Sequence, residues 1–175
     1  MTTGLIHLYF GDGKGKTTAS IGLTVRAVGR GRKVVFTQFL KECNTGEIAS
    51  LKRLGVRVIR SENYNGFYYK MNEDQQKKYR TGQLSLLEEA REAACGADPA
   101  DLLVLDEVVD ICDLKMVDEN ILRDFILQKP TGMEIVLTGH CAPDWLVEMA
   151  DYVTEMKKHK HPYDRGIVAR ESIEY

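Results

Sequence analysis

Gly11-Asp12-Gly13-Lys14-Gly15-Lys16-Thr17-Thr18 constrains this chain more than any other stretch, because of what stands on either side of it. Before it runs Leu5-Ile6-His7-Leu8-Tyr9-Phe10, a short apolar segment ended by glycine that suits a buried strand. After it, from Thr17 to about Arg30, apolar residues recur with a helical period. Glycines at such a strand-to-helix corner let successive backbone N–H groups turn toward one point. The helix N-terminus adds partial positive charge, and Lys16 adds a full one. The corner reads as a P-loop for an anion of the polyphosphate type, with Gly11, Asp12, Gly13, Lys14, Gly15, Lys16, Thr17 and Thr18 as its binding residues. Phe10 stands where the strict pattern GxxxxGK[ST] has its first glycine, so the loop is one residue shorter, GxxxGKT. A bare surface loop could carry the same glycines and lysines, but not by rule between a strand and a helix.

Gly29-Arg30-Gly31 ends the first helix, and Lys33 to Leu40 supplies a second β-rich run, completing a βαβ unit. An amphipathic piece from Glu47 to Leu54 leads to a third strand at Val56 to Ile59. Residues 60 to 72, polar and aromatic without period, predict an exposed loop ahead of a long helix from about Glu73 to Cys95. Leu102 to Leu105 and Met133 to Thr138 are continuous apolar runs that read as central parallel strands. Helices are expected from Asp118 to Leu127 and from Ala142 to Met149, with a short strand around Tyr152 to Met156. This alternation predicts an α/β fold with a mostly parallel central sheet flanked by helices, and the resemblance of the glycine corner to a P-loop implies the P-loop NTPase (RecA-like) arrangement. The chain of 175 residues suits a single domain, residues 1–175.

A polyphosphate site calls for a cation. Mg²⁺ takes oxygen ligands and commonly uses one or two protein oxygens beside phosphates and waters. Thr17 offers a hydroxyl, and Asp106-Glu107 sit where the Leu102–Leu105 strand should end, at the carboxyl edge where open α/β sheets bind ligands. Asp110 and Asp113 follow, at a spacing that does not separate them from a solvated helix start. Elsewhere the signals are bland. Twenty-four Lys and Arg against 26 Asp and Glu give a net charge of −2, so no global field draws the chain onto nucleic acid or an acidic membrane. No apolar run approaches the roughly 20 residues of a membrane span, and a cytoplasmic protein is expected. Cys43, Cys95, Cys112 and Cys141 are far apart and suggest buried free thiols. Lys157-Lys158-His159-Lys160-His161 suits a solvated turn, and its two histidines lack a third metal ligand.

Beyond these motifs the chain resembles the ATP:corrinoid adenosyltransferases of the P-loop type, also called cob(I)alamin adenosyltransferases. The resemblance runs from Phe10 to Tyr175. It rests on GDGKGKTTAS at 11–20 with Arg26, VVFTQFLK at 34–41, Gly46-Glu47 and VLDE at 104–107. It rests most on the ending, LTGHCAP at 137–143, ADYVTEM at 150–156 and KHPYDRGIVARESIEY at 160–175, which P-loop proteins in general do not share.

The resemblance implies transfer of the 5′-deoxyadenosyl group of ATP to the cobalt(I) of a corrinoid, with release of the whole triphosphate, in adenosylcobalamin biosynthesis or salvage. Attack is at carbon, not phosphorus, and cobalt(I) is itself the nucleophile, so no Ser, Cys or general base is needed. Carried over by position, Gly11 to Thr17 would hold the triphosphate and Lys16 would neutralise it. Thr17 and Glu107 would ligate Mg²⁺ with Asp106 behind them, and Arg26 falls where the family keeps an arginine near the nucleotide. The family sets aromatic residues against the lower face of the corrin, and Phe67 and Tyr69 look like that element. A homodimer and a reductase supplying electrons are implied as well. The chain departs from the pattern at Tyr69, where tryptophan is common, at His140, where arginine usually follows Thr-Gly, and at Ser172, where glycine is usual. It also begins almost at its first strand, whereas many members carry an N-terminal segment that helps cover the nucleotide. Two other functions need the same loop: a small P-loop kinase or nucleoside triphosphatase, which would yield ADP, and a non-catalytic ATP- or corrinoid-binding module. No arginine-rich lid segment appears between the βα units.

Overall fold

The structure is a computed structural model that describes residues 3–41, 45–61 and 68–175. Its strands are β1 (Ile6–Phe10), β2 (Val34–Gln38), β3 (Arg57–Arg60), β4 (Leu102–Asp106), β5 (Glu134–Gly139) and β6 (Tyr152–Glu155). They form one sheet in the order β3-β2-β4-β5-β1-β6, and every neighbouring pair is parallel. The helices are α1 (Lys16–Val28), α2 (Gly46–Arg53), α3 (Glu73–Cys95), α4 (Val108–Asp113), α5 (Glu119–Leu127) and α6 (Asp144–Met149). The α/β architecture expected from the alternation is the one found.

Parallel strands require crossovers, and crossovers of one hand place helices on both faces. The central strands are therefore sealed on both sides, which is why all five positions of β4 are buried and its sequence reads as an unbroken apolar run. Alternate residues divide between two cores. Leu103, Leu105, Ile135 and Leu137 pack with Leu87, Ile111, Leu122 and Phe125 beneath α3, α4 and α5. Leu102, Val104 and Val136 join Phe36 and Leu51 on the face covered by α1 and α2. β6, at the edge, is exposed at each position.

Strand order positions the site. β5 lies between β1, which leads into the glycine loop, and β4, which ends in the acids, and the register sets Phe10 opposite Gly139 and Leu105 opposite Leu137. The loops that follow β1, β2, β4 and β5 thus open along one carboxyl edge.

Several local features differ from expectation. α4 is not anticipated, since its six residues are too short to display a period. Asp110 is consequently not at a solvated helix start but buried, with 8% of its surface exposed, while Asp113 is exposed. Of the cysteines, Cys112 is buried, Cys95 half-buried and Cys141 exposed, and Cys43 lies outside the described residues. Within the 60–72 loop, Tyr68–Lys70 makes one 3₁₀ turn, and Asn72 then caps α3 by accepting from the Gln75 amide.

Gly139 ends β5 against α4, and a Cβ there would come within 2.6 Å of Val109 Cβ. Gly139→Ala is expected to cost about 1–3 kcal/mol through overpacking, read as a lowered urea midpoint at unchanged slope. An unchanged midpoint would show that α4 has room to move.

Candidate active site

The loop after β1 wraps tightly. Gly11 has φ 113° and Gly15 φ 126°, conformations that side chains resist, and Gly13 donates its N–H to Met156 O at 2.6 Å. A Cβ on Gly13 would lie 2.5 Å from that same oxygen, so only glycine fits beside the end of β6. Lys16 opens α1, and its Nζ curls back to donate to Gly11 O at 2.6 Å and Gly13 O at 3.0 Å. Asp12 anchors the next segment, its Oδ1 accepting from the Lys158 amide at 2.9 Å, and that bond holds its carboxyl below the ordinary range. The Lys157–Lys158 cluster therefore serves the loop through its backbone while its side chains stay exposed.

Asp106, at the end of β4, has no exposed surface. It accepts from Thr17 Oγ1 at 3.0 Å, from Thr138 Oγ1 at 2.9 Å and from Lys41 Nζ at 2.8 Å. Lys41 Nζ also donates to Thr17 Oγ1 at 3.0 Å and lies 3.5 Å from Glu107 Oε1. A positive charge thus sits among the hydroxyl of Thr17 and the carboxylates of Asp106 and Glu107. Burial opposes that charge, yet Asp106 and Glu107 outweigh it and the ammonium titrates above its ordinary value. Glu107 holds a left-handed backbone, φ 67°, where a non-glycine residue is strained, and its amide donates to Thr138 Oγ1 at 2.8 Å. Burial, reinforced by Asp106 and Asp110, pushes its carboxyl up to about 7, against the pull of Lys41.

Loop and acids face a cavity of about 630 Å³. Asp12 to Thr18 form its floor, Lys41, Glu47 and Glu107 one side, and His140 and the segment Ser172–Tyr175 the rest. The C-terminal segment is tied to the loop by Lys14 Nζ donating to Ile173 O at 3.2 Å, and the Arg170–Glu174 pair closes its own last turn. Behind His140, Asp110 accepts from the His140 backbone N–H at 2.8 Å and pairs with its ring Nδ1 at 3.0 Å.

The structure therefore brings Asp12 to Thr18 and Glu107 to one cavity, with Gly11 as the hinge behind it. Arg26 is not among the lining residues: it lies on the exposed last turn of α1, about 15 Å of helix rise from Lys16. Tyr69 is 72% exposed on the 3₁₀ turn, also outside the lining, and Phe67 lies outside the described residues. Trp145 packs in a groove by α6, its Nε1 donating to Glu119 at 3.2 Å. His161 caps a short 3₁₀ turn by accepting from the Tyr163 amide. Sequence reasoning misses Lys41 as a site residue, although VVFTQFLK marked it, because a lysine just past a strand carries no spacing signal. It also misses the Asp110–His140 pair and the wall formed by the C-terminal segment, which only the fold brings together.

Comparison with known proteins shows the family and the fold. A family model described as "ATP:corrinoid adenosyltransferase BtuR/CobO/CobP" matches residues 2–175. The chain is 33% identical over 177 residues to a corrinoid adenosyltransferase of Pseudomonas aeruginosa, covering 98% of this chain and 84% of that protein. It is 28% identical over 173 residues to the corrinoid adenosyltransferase of Escherichia coli K12, covering 98% and 86%. Among solved structures, ATPases 2 and 3 of EssC from Geobacillus thermodenitrificans share the fold, with TM-score 0.53 and 14% identity over 97% of this chain and 35% of that one.

The raised value of Glu107 has a consequence for stability. A carboxyl that binds its proton more tightly folded than unfolded stabilises the fold below its ordinary value of 4.5 and loses that contribution as pH rises through about 7. Glu107→Gln, which stays neutral, is expected to exceed the wild type in stability above pH 7 by up to about 3 kcal/mol. The gain should fade toward pH 4.5. Urea midpoints across pH 5 to 8 measure it, and a pH-independent difference would contradict the burial argument.

Proposed function

The chain belongs to the ATP:corrinoid adenosyltransferase family, and from that premise we propose that its cavity binds Mg²⁺·ATP and delivers the 5′-deoxyadenosyl group to the cobalt(I) of a corrinoid. The electron pair of cobalt(I) forms the cobalt–carbon bond as the bond from C5′ to its oxygen breaks, and that electron pair leaves with the triphosphate. The carrying observation is the gathering of Thr17, Asp106 and Glu107 around one positive charge at the mouth of the glycine loop. An oxygen cluster that already holds an ammonium suits a small hard cation, with Thr17 and Glu107 as the direct ligands and Asp106 holding Thr17 in place. Mg²⁺, when bound, supplies charge to the triphosphate oxygens.

The protein's own share is positioning and stabilisation of the leaving group. Loop amides and Lys16 face oxygens whose negative charge grows as the C5′ bond breaks, so they favour the transition state over bound ATP. Lys16 and Lys41 both rest on protein oxygens within reach of the cavity. Tyr69, exposed on the 3₁₀ turn within the loop 60–72, is the group assigned to the lower face of the corrin together with Phe67. The protein acts in the cytoplasm as a homodimer, with a reductase supplying electrons to the corrinoid.

Two measurements test this. With ATP and Mg²⁺ under anaerobic conditions, triphosphate should appear only when chemically reduced corrinoid is present, and ADP would show phosphoryl transfer instead. Lys16→Ala should lower that turnover by about 10²–10³-fold, and wild-type turnover would remove Lys16 from the site. Tyr69→Ala is expected to impair use of cobalt(II) corrinoid more than of pre-reduced cobalt(I). Equal loss with both would remove Tyr69 from the lower face of the corrin.

A further inference from the structure

His140 stands on the cavity wall without a part in the chemistry described so far. We propose that its protonated ring is a binding contact for the triphosphate chain of ATP, so that this enzyme holds nucleotide and leaving group partly through a proton-dependent hydrogen bond. The proposal rests on the reading that the cavity holds triphosphate.

Topology fixes the position. Because β5 lies between β1 and β4, the residue that follows it emerges between the glycine loop and the acids. His140 is that residue. Its carbonyl accepts from the Gly11 N–H at 3.1 Å, locking it to the first residue of the loop, and its side chain is 66% exposed and lines the cavity.

Orientation is fixed by Asp110. That buried residue takes the His140 backbone N–H with one carboxylate oxygen and meets ring Nδ1 with the other, at 2.8 and 3.0 Å. A carboxylate can only accept, so Nδ1 carries the hydrogen and the neutral ring is left with a lone pair on Nε2. A lone pair turned to phosphate oxygens repels them, whereas a proton on Nε2 converts the ring into a charge-assisted donor. The contact therefore exists in one protonation state only. An arginine, which the family pattern usually places here, would be charged at every working pH.

The ring's surroundings act in both directions. Asp110 on α4, Glu107 at its start, Asp12 in the glycine loop, Glu47 on α2 and Glu174 in the C-terminal segment are acidic, while Lys14, Lys16 and Lys41 are basic and share the same cavity. His161, also on the wall, has its Nδ1 engaged by the Tyr163 amide. A triphosphate adds several negative charges against this set, so its binding and proton uptake favour one another.

Calorimetric affinities for inorganic triphosphate and for Mg²⁺·ATP, taken from pH 6 to 9, test this in wild type, His140→Arg and His140→Asn. Titration of the ligand and of Glu107 is common to all three and cancels in the ratios. Wild type and His140→Arg should bind alike at pH 6 and diverge by about ten- to a hundredfold by pH 9, the worth of one charge-assisted hydrogen bond. His140→Asn should bind weakly at pH 6 and converge on wild type at pH 9. Ratios that stay constant across the range would overturn the proposal. Lys16→Ala separates the underlying reading: if it binds triphosphate as tightly as wild type, the anion is not in this cavity, whatever His140 does.

Discussion

A carboxylate with no exposed surface has to be matched on every side, and Asp106 is matched by groups from three separate parts of the chain. Removing a charge from water costs several kcal/mol unless partners replace the lost hydration. Thr17 comes from the start of α1, Thr138 from β5 and Lys41 from the segment after β2, so satisfying one buried charge fixes loop, sheet and flanking lysine relative to one another. Thr138 transmits the arrangement further, since the hydroxyl that donates to Asp106 also accepts the Glu107 amide and so helps hold that residue in its left-handed turn. The cavity's shape follows from this one pairing more than from any apolar contact.

Much of this was legible in the residues. The strand-loop-helix corner, the apolar β4 run ending in two acids, and the alternation of strands with helices each have a direct physical signature, and the sheet and glycine loop stand where those signatures put them. What was not legible shares a cause. Lys41, Asp110 and His140 belong to loops or to a six-residue helix, where no period operates, and their meaning arises only once strand order brings them to one edge. Asp110 is the sharpest instance: by spacing it passes for a solvated acid, and by position it is buried behind a histidine. The C-terminal segment is similar, since its match to a family ending said that it matters without saying that it walls the nucleotide cavity.

The site carries opposed charges in close quarters. Glu107 is held where its ionised form is disfavoured, and Lys41 is held by acids that favour its charge. Such tension costs stability in the empty protein, and under the proposed function the joint arrival of a divalent cation and a polyanion would relieve it. Strain of this kind, in the backbone of Glu107 as in its charge, tends to be kept where a ligand repays it.

Thr3 to Leu5 and Ser172 to Tyr175 lie on different sides of this machinery. Residues 172–175 form part of the cavity wall and are held there through Lys14, whereas Thr3 to Leu5 run into β1 at the opposite, amino edge of the sheet. A bulky label attached at Tyr175 would sit on the rim of the cavity itself, and one attached at Thr3 would stand at the far side of the sheet. For anyone immobilising or labelling the protein, Thr3 is the attachment point that leaves the mouth of the cavity clear.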